Sequence, residues 1–348
     1  MSFKLKVNAY RRKIMRGLTG NIGKGSLDNI KENETISIKR VLVNRPNQRL
    51  GNTLLMTPLI QEIVKNYPNA EIDLFVKGKV SPIVFENYPQ VKQIIELPKK
   101  PFKELIAYLN VWLKIRKHKY DLVINVDKQS SSGRLSTSFA QSKYKLFGDE
   151  FLSDTNQENQ LHQAQYPVYQ FRKFLELFDK IERTEAIPSL NIQLSAKEIE
   201  DGKKLLNEIV KDPTKKTLAF FTFATGTKCY DVVWWDEFYA MFYPKYEEEY
   251  NLIEILPVEN ISMLSHKLPE FYSKDVREIA AVMYNCELLI AADSGMMHLS
   301  CAAPVKTIGL FKSEGFLERY KPYGEGNAVV IAKDDNQAGV FAKMEELL

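Results

Sequence analysis

The residues of this chain best suited to chemistry stand together in Ala292-Asp293-Ser294-Gly295-Met296-Met297-His298-Leu299. The apolar run Leu288 to Ala291 leads into this stretch, and Pro304-Val305-Lys306-Thr307-Ile308-Gly309-Leu310-Phe311 follows it. A run of strand length ends in polar and glycine residues and passes at once into a helical pattern. This sets free backbone N–H groups, and the positive end of a helix dipole, at the carboxyl edge of a sheet. Such a place suits an anion, a phosphate above all. Gly295 lets a ligand approach the backbone, and His298, one turn on, offers a hydrogen bond or a positive charge. The same pattern fits a capped core helix with a satisfied histidine, and spacing alone leaves both readings open.

The elements that must position these residues can be read from apolar periodicity. Ile38 to Asn44 reads as a buried strand that opens the fold proper. Gly51 and the helical pattern Leu55, Leu59, Ile60, Ile63, Val64 follow, with Pro58 in the first turns. Ala70 to Val76, a short run around Ile94 to Leu97, and Asp121 to Val126 read as further strands, with a helix over 101–117. Strands alternating with helices predict a parallel sheet covered on both faces. A second series follows a helix near 164–180 and the polar stretch Glu182 to Pro188. Its strands are expected at Thr217 to Thr222, Leu252 to Leu256, Leu288 to Ala292, Thr307 to Phe311 and Val329 to Ile331, and a last helix at about Asn336 to Leu348. The expected units are a basic arm over 1–37, an amino-terminal domain over 38–182 and a carboxyl-terminal domain over 183–348. Two such α/β domains would leave a cleft between the carboxyl edges of their sheets, where ligands of these folds bind.

A length of 348 residues leaves room for two domains of about 150 residues each. With 45% hydrophobic and 26% charged residues the composition is that of a globular protein. No apolar run approaches the ~20 residues that span a bilayer, and no signal-peptide pattern opens the chain, so a cytoplasmic location is expected. Cys229, Cys286 and Cys301 lack metal-ligand spacing and read as reduced and mostly buried. A net charge of +4 is too small to imply nucleic acid, and none is expected as a partner.

The distribution of charge says more than its total. Lys4, Lys6, Arg11, Arg12, Lys13 and Arg16 come with no acidic residue between them, and Phe3, Val7, Tyr10, Ile14 and Leu18 recur at helical spacing. A helix there would set an apolar stripe beside a cationic face, the form that lies in the interface of an anionic membrane. A second basic segment runs from Lys99 and Lys100 through Lys103, Lys114, Arg116, Lys117 and Lys119, with Phe102, Leu105, Ile106, Leu109, Trp112 and Leu113 between them. It reads as an ordinary amphipathic helix, its polar face in water and its apolar face on the core.

Four segments together carry a resemblance. They are Leu50-Gly51-Asn52-Thr53-Leu54-Leu55-Met56-Thr57-Pro58-Leu59-Ile60 with Tyr67-Pro68-Asn69-Ala70-Glu71-Ile72-Asp73; Tyr120-Asp121-Leu122-Val123-Ile124-Asn125-Val126-Asp127; Asp293 to Phe311; and Glu318-Arg319-Tyr320-Lys321-Pro322-Tyr323-Gly324. In order and content they resemble the ADP-heptose:lipopolysaccharide heptosyltransferases of glycosyltransferase family 9, over residues 38 to about 335. The resemblance implies a GT-B fold, two facing Rossmann-like domains with an interdomain cleft. The acceptor would lie on the amino-terminal domain and the nucleotide-sugar donor mainly on the carboxyl-terminal one.

The implied activity is inverting transfer of a heptose from ADP-heptose to a lipopolysaccharide core or related lipid-linked glycan acceptor, at the inner face of the cytoplasmic membrane. The basic arm and basic helix would suit an anionic membrane surface. Such transfer needs a base for the acceptor hydroxyl and positive charge for the departing diphosphate. By the resemblance Ser294, Gly295, Met296 and His298 match diphosphate-binding positions, and Asp293 matches a donor-binding carboxylate facing sugar hydroxyls. Lys228, in Ala224-Thr225-Gly226-Thr227-Lys228-Cys229-Tyr230, stands where a family lysine contacts the donor; by itself it reads as an exposed loop lysine. Gly51 and Asn52 would meet the acceptor. No metal or cofactor is called for. There is no Asp-x-Asp, and Asp334-Asp335 stand near a terminal strand without partner ligands.

Two positions depart from the family pattern. Where the family reads Gly-Asp, with the Asp as favoured base, this chain has Gly51-Asn52, and a neutral amide cannot take a proton at pH 7. Asn52 then orients the acceptor while another carboxylate, Asp127 for instance, takes the proton; or the reaction runs with weak base assistance; or the protein binds without turnover. Asp127 alone reads as a strand-end residue capping the next helix. Lys312 replaces a usual Gly, and either adds a cation near the diphosphate or points to solvent. Tyr230 stands where Trp is common and keeps an aromatic wall. A sugar-binding or assembly partner, and a transferase using another nucleotide sugar, remain the competing functions.

Overall fold

A computed structural model describes residues 17–23, 27, 30, 35–98, 104–151, 161–332 and 337–348. The basic arm up to Arg16, Lys99 to Lys103, and Asp334-Asp335 lie outside the described residues. In chain order the first half holds β1 (Arg40–Arg45), α1 (Leu50–Leu54), α2 (Thr57–Asn66), β2 (Glu71–Lys77), α3 (Val80–Val84), β3 (Val91–Leu97), α4 (Leu105–Lys117), β4 (Lys119–Asn125), α5 (Ser131–Phe139), β5 (Gln141–Leu146) and α6 (Tyr166–Asp179). The second half holds α7 (Ala196–Ile209), β6 (Thr217–Phe221), α8 (Val232–Tyr246), β7 (Asn251–Ile255), β8 (Glu270–Phe271), α9 (Val276–Tyr284), β9 (Leu288–Ala292), α10 (Gly295–Ala302), β10 (Lys306–Phe311), α11 (Leu317–Tyr320), β11 (Ala328–Ile331) and α12 (Gln337–Leu347).

Every strand pair is parallel, in two sheets ordered β3-β2-β1-β4-β5 and β11-β10-β9-β6-β7-β8. Parallel strands need crossover helices, which cover both faces and make the central strands continuously apolar. Accordingly Val41 to Val43 and Leu288 to Ala292 are fully buried. In both sheets the order reverses beside the first strand of the unit, and this switch point opens a crevice at the carboxyl edge. One apolar cluster runs from Leu54, Leu55 and Leu59 through Phe171 and Phe174 to Met297, Leu299 and Ala302, so residues of both halves share a core.

Three expectations need correction. The one helical pattern read after Gly51, from Leu55 to Val64, is preceded by a separate short helix, α1, and α2 starts only at Thr57. Pro58 sits in the first turn of α2, where it has no N–H to give, and the Thr57 hydroxyl donates instead to the Leu54 carbonyl at 2.8 Å. Two strands lacked a sequence signal: β5, an edge strand carrying Lys143 and Lys145, and the two-residue β8. The third correction concerns α4. Only Val111 and Ile115 are buried on it, while Leu105, Ile106, Leu109 and Leu113 are 57, 78, 61 and 64% exposed. Leu105, Ile106, Leu109 and Leu113 of the stripe named in the sequence therefore face water, whereas Trp112, named with them, packs against Phe75, Phe139 and Tyr108.

The segment joining the halves is strapped to the first. Asn191 N–H donates to Thr57 Oγ1 at 3.1 Å, Tyr88 Oη to the Asn191 carbonyl at 2.6 Å, and Gln61 Nε2 to the Ser189 carbonyl at 2.9 Å. Arg277 of α9 then gathers both halves, donating to the carbonyls of Ile83, Ile192 and Gln193 and pairing with Glu198. Glu198 also closes the capping box that starts α7 at Ser195. Burial pushes its carboxyl up, but the hydrogen bonds from Arg277 and Ser195 prevail and hold it at about 2.

Candidate functional site

Two carboxyl edges supply the site. On the first sheet β1 ends at Arg45 and leads into α1, which carries Gly51 and Asn52, while β4 leads to Asp127. On the second, β6 leads to the loop holding a 3-10 turn at Gly226–Lys228, and β9 leads through Asp293 and Ser294 into α10. The two edges meet at α1 and α10. A Cβ added to Gly51 would stand 2.7 Å from His298 Cδ2 and 3.5 Å from the Gly295 Cα, and one added to Gly295 would stand 3.3 Å from the Gly51 nitrogen and from Leu50 Cβ. Glycine is favoured at both positions by close approach and not by unusual φ: at 51 the neighbour is the His298 ring, and at 295 it is the Gly51 backbone with the Leu50 side chain.

On the second-sheet side the residues singled out from the sequence come together. Lys228 Nζ pairs with Asp293 Oδ2 at 2.5 Å; the lysine side chain is half exposed and the carboxylate mostly covered. Ser294 is the N-cap of α10 in extended conformation, but its side chain makes no cap hydrogen bond. Ser294 Oγ and His298 Nδ1 are both buried without a hydrogen-bond partner among the described residues. Met296 is half-buried in the first turn and packs on the shared core. Buried polar atoms normally find partners, so two orphans at the opening turn of one helix need a reason.

His298 is buried, against Gly51. Burial, and then the nearby charges of His162 and Lys228, push its pKa down to about 3. It is therefore a neutral imidazole at pH 7, a hydrogen-bonding group and not a cation. His162 lies at a second contact between the halves. Its Nδ1 accepts from the Ala164 N–H at 3.1 Å, which leaves Nε2–H to donate to the Lys321 carbonyl at 2.9 Å, and its ring stacks on Tyr323 at 4.7 Å. Burial, against the Lys321 hydrogen bond, brings it to about 4. The unfolded pKa of both is near 6.5 and the folded values are lower, so the stability they allow is intact above pH 6.5 and lost as pH falls toward 3 to 4. NMR titration should find both rings still neutral at pH 5.5; midpoints near 6.5 for either would contradict the burial.

The first-sheet side contains a residue that the sequence reading missed. Arg45, one position past the expected strand, joins the two candidates for base work. Its Nη1 pairs with Asp127 Oδ2 at 2.6 Å and its Nη2 donates to Asn52 Oδ1 at 3.2 Å. The guanidinium is buried, while Asp127 keeps a third of its side-chain surface. The only hint in the sequence was a charge closing an apolar strand; the pairing spans more than eighty residues. Asp127 is not the cap of α5, a role Ser130 fills by accepting from the Gly133 N–H at 3.1 Å. It accepts instead from the N–H of Gln129 at 3.0 Å. The Lys312 ammonium sits 4.8 Å over the ring of Tyr230, two residues beyond Lys228.

Part of the sequence, and the fold, are similar to known proteins. Residues 274–346 match the family model of glycosyltransferase family 9 (heptosyltransferase). Lipopolysaccharide heptosyltransferase 3 from Escherichia coli, and the protein of that name from strain K12, are 38% and 34% identical to the chain over 82 residues, 23% of this chain and 24% of each relative. The match thus spans about a quarter of the length of these curated relatives. A solved glycosyl transferase family 9 structure from Veillonella parvula superposes with TM-score 0.68 at 18% identity, covering 90% of this chain and 98% of that one. E. coli heptosyltransferase WaaC with ADP gives 0.65 at 14%, covering 89% of this chain and 100% of that one, and E. coli ADP-heptose lps heptosyltransferase II gives 0.65 at 14%, covering 89% and 98%. The resemblance to family 9 is shown, and the fold is GT-B.

Proposed function

We propose that this chain, a GT-B protein whose residues 274–346 carry the family 9 pattern, is an inverting glycosyltransferase that moves a heptose from ADP-heptose to a lipopolysaccharide core or related lipid-linked acceptor. The observation that carries the reading is the convergence of Lys228, Asp293, and the unpartnered Ser294 Oγ and His298 Nδ1 on the mouth of α10, opposite Gly51. An ammonium, a helix N-terminus and two open hydrogen-bonding atoms form a diphosphate cradle that needs no metal ion. Neutral His298 serves it by a hydrogen bond, and the amino-terminal region over 38–182 presents the acceptor to the donor-holding region over 183–348.

In the transfer the acceptor hydroxyl oxygen bonds to the anomeric carbon and the bond from that carbon to the diphosphate breaks. The hydroxyl proton passes to Asp127, the carboxylate at this edge, and the negative leaving group stays with Lys228 and α10. Asn52 orients the acceptor, with its amide oxygen fixed by Arg45. The acceptor's lipid places the protein at the inner face of the cytoplasmic membrane.

Isothermal titration and turnover with ADP-heptose, UDP-sugars and GDP-sugars test the reading. Binding and consumption of ADP-heptose alone is the expected result. Preference for another nucleotide would move the assignment to a sister transferase, a reading that the changes at Asn52 and Lys312 favour, and no binding of any would leave a non-enzymatic partner. Lys228→Ala should weaken donor affinity about tenfold or more, since a charge-assisted hydrogen bond is worth roughly 1.5–3 kcal/mol. Wild-type affinity in that variant would remove Lys228 from the cradle.

A further inference from the structure

Among the described residues, the exposed stripe of α4 is an apolar surface that the proposed transfer leaves without a task. At 100° per residue, Leu105, Leu109, Leu113 and Ile106 fall within an arc of about 100°, and Arg116 and Lys117 continue that arc in the last turn. Lys114 is exposed on the flank, about 80° beyond the arc. The opposite side, with Val111 and Ile115, is sealed on the sheet, so the stripe cannot turn inward without unpacking the helix. Phe139 extends the surface at 37% exposure, held against Trp112 at 5.5 Å with the Arg116 guanidinium 5.0 Å over its ring. From Leu105 to Lys119 the chain holds no acidic residue. Among the described residues, Glu104 stands at its start and Glu96 at the border of the groove beside it.

We propose that this face of α4 seats the protein on an anionic lipid bilayer, with the four aliphatic side chains entering the acyl boundary and Lys114, Arg116 and Lys117 meeting lipid phosphates. Charge chooses the occupant: leucines and an isoleucine beside basic residues, with no acid interspersed, match a negatively charged interface and not a second copy of the same cationic face. No described helix is long and apolar enough to cross a membrane, so the attachment lies along the surface. Orientation agrees with it. A crossover helix runs against its parallel strands, so the start of α4, with Leu105, Ile106 and Leu109, lies toward the carboxyl edge of the first sheet, beside the mouth where Asn52 and Asp127 stand. A lipid-borne acceptor would reach that edge directly. The inference deepens the acceptor part of the proposed function, but its test needs no turnover.

The full chain is sedimented with vesicles of phosphatidylcholine containing phosphatidylglycerol, and with phosphatidylcholine alone. Partitioning should favour the anionic vesicles and weaken with salt. Ile106→Glu with Leu109→Glu should lower it at least tenfold at every salt concentration. Lys114→Gln with Arg116→Gln and Lys117→Gln should reduce it mainly at low salt. All these positions are solvent-facing, and unchanged melting and nucleotide binding show that the fold is kept. Wild-type partitioning in the aliphatic variant would overturn the proposal, leaving any binding to another segment such as the basic arm. A concentration-dependent dimer that the same variant dissolves would overturn it in favour of a self-interface. Loss of vesicle binding with no ADP-heptose turnover in the wild type would keep the docking face and remove only the transfer reaction.

Discussion

Asp127→Asn should slow sugar transfer by roughly two to four orders of magnitude, the usual contribution of a positioned general base, while leaving donor affinity near that of the parent. The separation follows from placement. Asp127 ends a strand of the first sheet, whereas Lys228, Asp293 and His298 belong to the second. An amide at 127 keeps the shape and still accepts from Arg45, but it cannot take a proton. The buried guanidinium would lose its anionic partner, so thermal melting must accompany the kinetics. A parental rate in this variant would eliminate Asp127 as the base. Asn52→Asp tests the same centre from the other side, setting a second carboxylate on Arg45 3.2 Å from its Nη2. A large gain in rate would mean that the natural amide leaves base catalysis impaired, and a loss would show that the amide has work of its own.

Gly51→Ala should lower kcat about a hundredfold, and by more than Gly295→Ala does. The Cβ at 51 meets an imidazole carbon at 2.7 Å, so something must shift, while the Cβ at 295 has its nearest neighbours at 3.3 Å, a gap that small adjustments can open. Displacing α1 from α10 by even a few tenths of an ångström moves Asn52 relative to the donor cradle, and misplacement on the ångström scale is enough to cost that factor. Because the clash is with a side chain, combining Gly51→Ala with His298→Ala should restore the melting temperature without restoring the rate. Equal effects of the two glycine substitutions would mean that the joint is softer than its geometry indicates.

Both sheets were legible in the sequence because their central strands are buried on both faces and so read as apolar runs, Val41 to Val43 and Leu288 to Ala292 among them. Strand β5 was not, for an edge strand of Gln-Ser-Lys-Tyr-Lys-Leu buries only Tyr144 and Leu146. Helix α4 was found, but its orientation was misread. Tyr108, Val111 and Ile115 form a second apolar stripe beside Trp112, and period alone does not say which side the sheet takes. At the site, Asp293 to His298 stood out as a contiguous motif. Arg45 did not, because its meaning depends on Asp127 arriving from a distant strand. The neutrality of His298 was equally hidden, since it comes from burial created by the approach of Gly51.

Arg277 ties the two halves together at a distance from the joint of Gly51 and Gly295 in the sequence. Its guanidinium grips a carbonyl of α3, two carbonyls of the connecting segment and the carboxylate that begins α7. Together with the close approach of Gly51 to Gly295 and His298, this grip holds the two halves against each other at two separate places, so a shift of one half against the other would have to disturb both.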